Sequence, residues 1–232
     1  MIFEIRPHPV TGPLLRKAQD ELSRADPLLG GLIRRIGPCR LPMKRRNYYF
    51  FALVEAILYQ QLGMKAAAAI VSRFRALYPG RRFPTPADVG RTPESQLRSA
   101  GLSSQKISYI KELSRQLLEG SFTFRNLSVL EDEELILRLT EVKGIGRWTA
   151  EMFLIFSLGR PDVFPLNDLG IRKAVQKAYG LKALPSDRVL ERLEEKWKPY
   201  RSIAAWYFWA SNDGAGPGAA PPGEKSPQLR AT

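Results

Sequence analysis

Val142-Lys143-Gly144-Ile145-Gly146-Arg147-Trp148-Thr149-Ala150, followed by Gly159-Arg160-Pro161-Asp162-Val163-Phe164-Pro165-Leu166-Asn167-Asp168, is the stretch that decides the fold of this chain. Apolar residues at helical spacing flank the glycines, from Leu130 to Val142 and again from Arg147 or Trp148 to Leu158. Gly144 and Gly146 permit a tight turn with positive φ and leave no Cβ in the way of a close approach. Such a turn offers backbone N–H groups at a helix start, where the helix dipole favours an anion. Lys143 and Arg147 add positive charge on either side, so a phosphate suits the place. Taken alone, Gly-x-Gly serves an ordinary helix–helix turn equally well. Asp168 opens the next helix, which runs to Tyr179 with Gly180 in the stop position. Aspartate is a common N-cap. An N-cap carboxylate is also ionised and rigidly aimed, so capping and stabilising a nearby positive charge are compatible roles.

Working outward, nearly every segment with a clear period reads as helix. Phe50 to Gln61 is densely apolar, and Ala66 to Tyr78 ends at Pro79-Gly80. Thr92-Pro93-Glu94 carries the cap, first-turn proline and acid of a helix start. Ser103 or Ser104 caps a helix with apolar Ile107, Ile110, Leu113, Leu117 and Leu118, ended by Gly120. Further helices are expected at Ser186 to Trp197 and Tyr200 to Ser211. Only Met1 to Arg6 and Phe122 to Arg125 alternate enough to be weak strand candidates. The expected fold is all-α, with two helical subdomains and an active-site cleft between them. About 1–45 plus 180–211 forms one subdomain, and about 46–179 forms the core that carries the hairpin. From Asn212 onward Gly, Pro, Ala and Ser dominate, so 212–232 is expected to be a disordered tail.

Composition removes several chemistries. With Cys39 and His8 alone of their kinds, no disulfide forms within the chain. A zinc site or iron–sulfur cluster lacks its ligands as well. A nucleophilic triad would depend on His8, near a loose terminus. The apolar Tyr48 to Tyr59 stretch is too short to span a membrane and contains Glu55. The N-terminus, with Glu4 and Arg6, lacks a signal-peptide core. Thirty-six Lys and Arg against 23 Asp and Glu give a formal charge of +13, which attracts polyanions such as nucleic acid. The basic clusters Arg34-Arg35, Lys44-Arg45-Arg46 and Arg81-Arg82 are short and lie between apolar segments, as on a folded surface.

The hairpin, the Gly/Pro loop and the aspartate together resemble the HhH-GPD superfamily of DNA glycosylases. The resemblance is strongest to its DNA-3-methyladenine glycosylase II branch, which removes alkylated bases. It runs from Phe51 to Trp209 and includes Ala56-Ile57-Leu58-Tyr59-Gln60-Gln61-Leu62, Phe83-Pro84-Thr85-Pro86, Gly101-Leu102 with Lys106, and Trp197-Lys198-Pro199-Tyr200-Arg201-Ser202. The resemblance implies that Asp168 is the catalytic aspartate, and that Trp148, Met152 and Trp209 line the base pocket with Gln60 at its border. Lys143, Gly144, Ile145, Gly146 and Arg147 would hold DNA, and Gln61 would enter the gap left by a flipped base. The backbone carbonyls of Thr140, Val142 and Ile145 match those that hold a monovalent cation, Na or K, against the phosphate. Trp148 stands where lyase members carry a lysine nucleophile, so the chain is expected to be monofunctional. Lys143 departs from a usual proline, Gly63 from a polar residue and Met152 from a tyrosine. The roughly 45 residues before the match are too few for the β-rich N-terminal domain of longer members.

The implied chemistry is consistent with the residues present. Extruding a base costs roughly a few kcal/mol and needs a wedge. A base alkylated at a ring nitrogen is cationic and leaves without a general acid, so a site without histidine suffices. Tryptophan faces attract such a cation, by about 0.5–2 kcal/mol per contact. A carboxylate stabilises the oxocarbenium character of the sugar and orients water. No cofactor is expected beyond the hairpin cation. The expected partner is duplex DNA with damaged bases, met by a monomer away from any membrane, at the nucleoid of a prokaryotic cytoplasm or in a eukaryotic nucleus. Two rivals remain at this point: a glycosylase for a neutral lesion (uracil, mismatched thymine or an oxidised purine), and a non-catalytic lesion binder.

Overall fold

The computed structural model describes residues 11–41, 48–62 and 64–212. Among them every regular element is helical and no strand occurs, so the chain is all-α. In chain order the helices are α1 (Gly12–Ala25), α2 (Pro27–Ile36), α3 (Tyr49–Tyr59), α4 (Met64–Ala76), α5 (Pro86–Arg91) and α6 (Glu94–Ser99). They continue with α7 (Ser104–Glu119), α8 (Asp132–Thr140), α9 (Arg147–Phe153), α10 (Leu169–Ala178), α11 (Asp187–Glu194) and α12 (Arg201–Asn212). The chain divides into two compact units. Over the described residues the first spans 48–62 and 64–160, and the second 11–41 and 161–212.

The first unit is built around α3, whose Phe51, Leu53, Val54, Ile57 and Leu58 are buried. Helices α4, α7 and α9 pack against it. The apolar stripe of α7 behaves as its spacing predicts, with Ile107, Ile110 and Leu113 buried. Ser103 caps that helix by accepting from the Lys106 N–H, and Gly120 ends it at φ 80°. Helix α8 packs on α9, which fixes the hairpin between them. A π-helical turn, Leu154–Leu158, extends α9 to Gly159. Arg160 closes the unit. Its guanidinium, 2% exposed, donates to the Leu127 and Leu130 carbonyls at 3.0 and 2.7 Å and lies 3.3 Å from Asp132 Oδ1.

In the second unit α12 is the axis. Every residue from Ser202 to Ala210 is buried, because α1, α2 and α10 all pack on this one helix. Asp26, 3% exposed, is the N-cap of α2 and accepts four hydrogen bonds. It accepts from the Leu28 and Leu29 N–H groups at 3.1 and 3.2 Å, from Trp197 Nε1 at 3.0 Å, and from the Tyr179 hydroxyl. Burial pushes its pKa up, but these four hydrogen bonds outweigh that and hold the carboxyl below its ordinary range.

The boundary between units falls at Arg160/Pro161, not near residue 179 as the sequence suggested. Helix α10 packs on α12, and the loop before it hydrogen-bonds to the start of α12, so both belong to the second unit. Helices α1 and α2 were not anticipated, although Thr11 with Pro13 and Asp26 with Pro27 are cap-and-proline starts. Phe122 to Arg125 is not a strand. Phe122 donates its N–H to the Gln116 carbonyl, and its ring packs edge-on against Phe124. Asn212, placed in the expected tail, is the last residue of α12 and donates its side chain to the Gly170 carbonyl at 2.7 Å. The rest of that tail, the Met1 to Arg6 candidate strand, His8, Lys44-Arg45-Arg46 and Gly63 lie outside the described residues.

Candidate active site

Asp168 is the N-cap of α10. Its Oδ1 accepts the Ile171 N–H at 2.9 Å and the Trp209 Nε1–H at 3.1 Å. One carboxylate is therefore both a helix cap and the acceptor for an indole, an arrangement compatible with the chemical role that the resemblance implies. Trp209, which the resemblance put in the base pocket, is 8% exposed, and its polar edge is committed to Asp168. Gly170 completes the arrangement. A Cβ there would stand 3.0 Å from Asp168 Oδ1 and 3.4 Å from Trp209 Cδ1. Nothing in the sequence singled this glycine out.

The loop that delivers Asp168 is held along its length. Asp162 makes a bidentate pair with Arg201 at 2.9 and 3.1 Å. Ser202 Oγ accepts from the Val163 N–H and donates to its carbonyl. Arg172 donates to the Leu166 carbonyl at 3.1 Å and the Pro185 carbonyl at 2.9 Å, and pairs with Asp187. Asp162 and Val163 thus answer to Arg201 and Ser202, far away in sequence, and Arg172 ties Leu166 to the segment at Pro185 and Asp187. That rigidity costs entropy once, in folding, and leaves little reorganisation for a reaction.

In the first unit the two hairpin glycines differ. Gly144 has φ 93°, and a Cβ on it would meet the Tyr109 ring at 2.2 Å, so glycine is required twice over. Gly146, expected to share the positive φ, lies instead at φ −87° as the N-cap of α9, with open space around its missing Cβ. Gly146 has no side chain to cap α9, so the first N–H groups of that helix have no N-cap side-chain partner. Ile145 is buried and closes the turn by donating to the Val142 carbonyl at 3.0 Å. Lys143 is exposed. Arg147 differs from expectation, because its guanidinium pairs with Glu133 and, at 3.0 Å, with the buried Glu151. Its charge is directed into α8 and α9.

Gln60 and Gln61 part company at the end of α3. Gln60 Nε2 donates to the Gly144 carbonyl at 2.9 Å and reaches Thr149 Oγ1 at 3.3 Å, so this side chain ties α3 to the hairpin. Gln61 is exposed and left-handed, φ 59°, a conformation that costs a non-glycine residue about 1–2 kcal/mol. Beside it Leu62 is 39% exposed. Trp148, 41% exposed, and the half-buried Met152 lie one turn apart on α9 and share a face. Among the described residues no group of three His, Cys, Asp or Glu can hold a metal ion. No helix among them is long and apolar enough to cross a membrane.

Comparison with known proteins agrees with the all-α fold. Residues 54–199 match the model of the HhH-GPD superfamily base excision DNA repair proteins. DNA-3-methyladenine glycosylase 1 of Schizosaccharomyces pombe is 38% identical over 202 residues, covering 85% of this chain and 88% of that protein. The structure of the S. pombe 3-methyladenine DNA glycosylase with abasic DNA matches with a TM-score of 0.77 at 36% identity, over 85% of this chain and 97% of that one. A DNA-3-methyladenine glycosidase from Bacillus halodurans gives a TM-score of 0.74 at 35% identity, over 84% and 88% of the two chains. With the family's model spanning both the hairpin and Asp168, and a relative this similar over most of its length, the chain belongs to the HhH-GPD superfamily of base excision DNA repair proteins.

Proposed function

We propose that the chain is a monofunctional DNA glycosylase that extrudes alkylated bases of the 3-methyladenine type and hydrolyses their N-glycosidic bond. The observation that carries this is Asp168, a carboxylate fixed by the α10 N-terminus and by Trp209. As the bond to a cationic base breaks, positive charge develops on the sugar. An immobile carboxylate stabilises that charge and accepts a hydrogen bond from the attacking water. The departing base takes the bonding electrons and leaves neutral, so no proton donor is needed. The exposed indole of Trp148 offers a π-face to the cationic base, with Met152 beside it. Gln61 and Leu62, held outward at the end of α3, fill the vacated position in the duplex.

Lys143, Gly144, Gly146 and the first N–H groups of α9 take a phosphate of the DNA backbone. A monovalent cation in the hairpin would be held by the carbonyls of Thr140, Val142 and Ile145 and would add charge for that phosphate. Neutral oxygens suit a singly charged hard ion, and the Val142 carbonyl keeps a lone pair beyond the one given to Ile145. The names of the relatives, and the abasic DNA in the S. pombe structure, support the substrate class and the product.

The test is incubation with methylated duplex DNA, followed by identification of the free bases and of the strand. 3-Methyladenine should be released, and the strand should remain whole until treated with alkali. Borohydride should trap no protein–DNA adduct, because an indole at position 148 cannot form a Schiff base. Release of uracil or an oxidised purine in place of alkylated bases would overturn the substrate class.

A further inference from the structure

Lys106 has no role in the site described so far, yet its Nζ donates to the Leu58 carbonyl at 2.6 Å. That bond completes the end of α3. The last carbonyls of a helix lack intrahelical donors. Here the Gln60 N–H takes the Ile57 carbonyl, the Leu62 N–H reaches the Tyr59 carbonyl at 3.4 Å, and the ammonium takes the one between them. Many helices make this exit with a left-handed glycine. In α3 the left-handed position is Gln61, whose side chain must be kept if it is to enter DNA. A cation at a helix C-terminus also opposes the dipole. Burial lowers the pKa of Lys106 below the ordinary lysine range, which sets this ammonium apart from the solvated lysines of the surface.

The same face of α7 supports the hairpin. Tyr109, one turn beyond Lys106, lies against Gly144, and Gln105 donates to its hydroxyl at 2.7 Å. Gln60 links the two supported segments through the Gly144 carbonyl. The Gln60–Leu62 turn and the phosphate hairpin therefore share one brace.

We infer that Lys106 is a positioning residue for base extrusion: by clamping the Leu58 carbonyl it holds Gln61 in its left-handed, outward conformation, so that seating the hairpin on a phosphate also delivers the wedge. This rests on the wedge role given to Gln61 above. Lys111, on the same helix, supplies an internal control. Its Nζ caps the end of α5 through the Gly90 and Thr92 carbonyls at 2.7 and 2.6 Å, away from the wedge turn.

The probe is a duplex carrying 2-aminopurine next to a tetrahydrofuran abasic analogue, read by stopped-flow fluorescence beside binding anisotropy. The parent should unstack the 2-aminopurine. Lys106→Met should slow that phase about tenfold, the loss expected of one charge-assisted hydrogen bond, with affinity for undamaged duplex kept within about twofold. Lys106→Arg should restore it, and Lys106→Gln should fall between. Lys111→Met should lose thermal stability and keep the parent's fluorescence phase. Equal phases in Lys106→Met and the parent, or an equal loss in Lys111→Met, would overturn the inference. So would a parent that binds the probe without unstacking it. A parent that unstacks the probe and releases no base from methylated DNA would overturn the glycosylase reading and leave the positioning role standing.

Discussion

At the scale of single residues, the site depends on what touches the Asp168 carboxylate. Trp209→Phe keeps an aromatic ring in the buried position and removes the N–H that meets Oδ1. It should lower single-turnover base release about tenfold with little change in fold, as one charge-assisted hydrogen bond is lost. Gly170→Ala should act through space alone. Its methyl would press on Oδ1 from 3.0 Å, so the carboxylate must shift by a few tenths of an ångström. We expect slower release with the same affinity for undamaged duplex, measured by single-turnover kinetics beside anisotropy. An alanine variant as fast as the parent would show that the exact position of Oδ1 does not matter. Asp168 was legible as a helix cap because a helix start after a Gly/Pro loop is a local signal, whereas its chemical role came only from the resemblance. Gly170, Arg172 and the Trp209 contact were not legible, since each depends on a partner that only folding brings near.

At the scale of elements, the hairpin shows how one pattern can hide unequal parts. Both glycines read alike, but only Gly144 carries positive φ and a ring against its α-carbon. Gly144→Ala should therefore disrupt the turn and lower stability. Gly146→Ala should leave the fold intact and weaken binding to every duplex alike, since only phosphate approach is impaired. Helix α2 makes a separate prediction. Asp26 has a depressed pKa in the folded chain, so its stabilisation is present above the unfolded value near 3.8 and is lost as pH falls through the folded value. Asp26→Ala should cost about 3 kcal/mol at neutral pH, by leaving buried donors unpartnered and a helix uncapped. It should also flatten the acid limb of the stability profile in urea titrations between pH 2 and 6, roughly the span over which such a carboxylate titrates. An unchanged acid limb would mean that another carboxylate dominates it.

At the scale of the whole molecule, the formal charge of +13 makes duplex binding steeply salt-dependent. Removing a phosphate contact should reduce the slope of log affinity against log salt by about 0.9. Lys143→Ala should show that change. Arg147→Ala should not, because its guanidinium is already paired with Glu133 and Glu151. The all-α class was legible from helical spacing alone. The division into units was not, since spacing marks which face of α10 is apolar without naming α12 as the helix it packs on.

The central claim is that the charge of Asp168, and not merely its place at a helix start, drives base release. Asp168→Asn isolates that charge, because an asparagine oxygen can still accept from the Ile171 N–H and the Trp209 indole. Measured by base release from methylated duplex DNA, the variant should bind like the parent and turn over slower by about 10²-fold or more, roughly 2.7 kcal/mol of lost transition-state stabilisation. Excision at close to the parent's rate would contradict the claim and leave Asp168 as a helix cap alone.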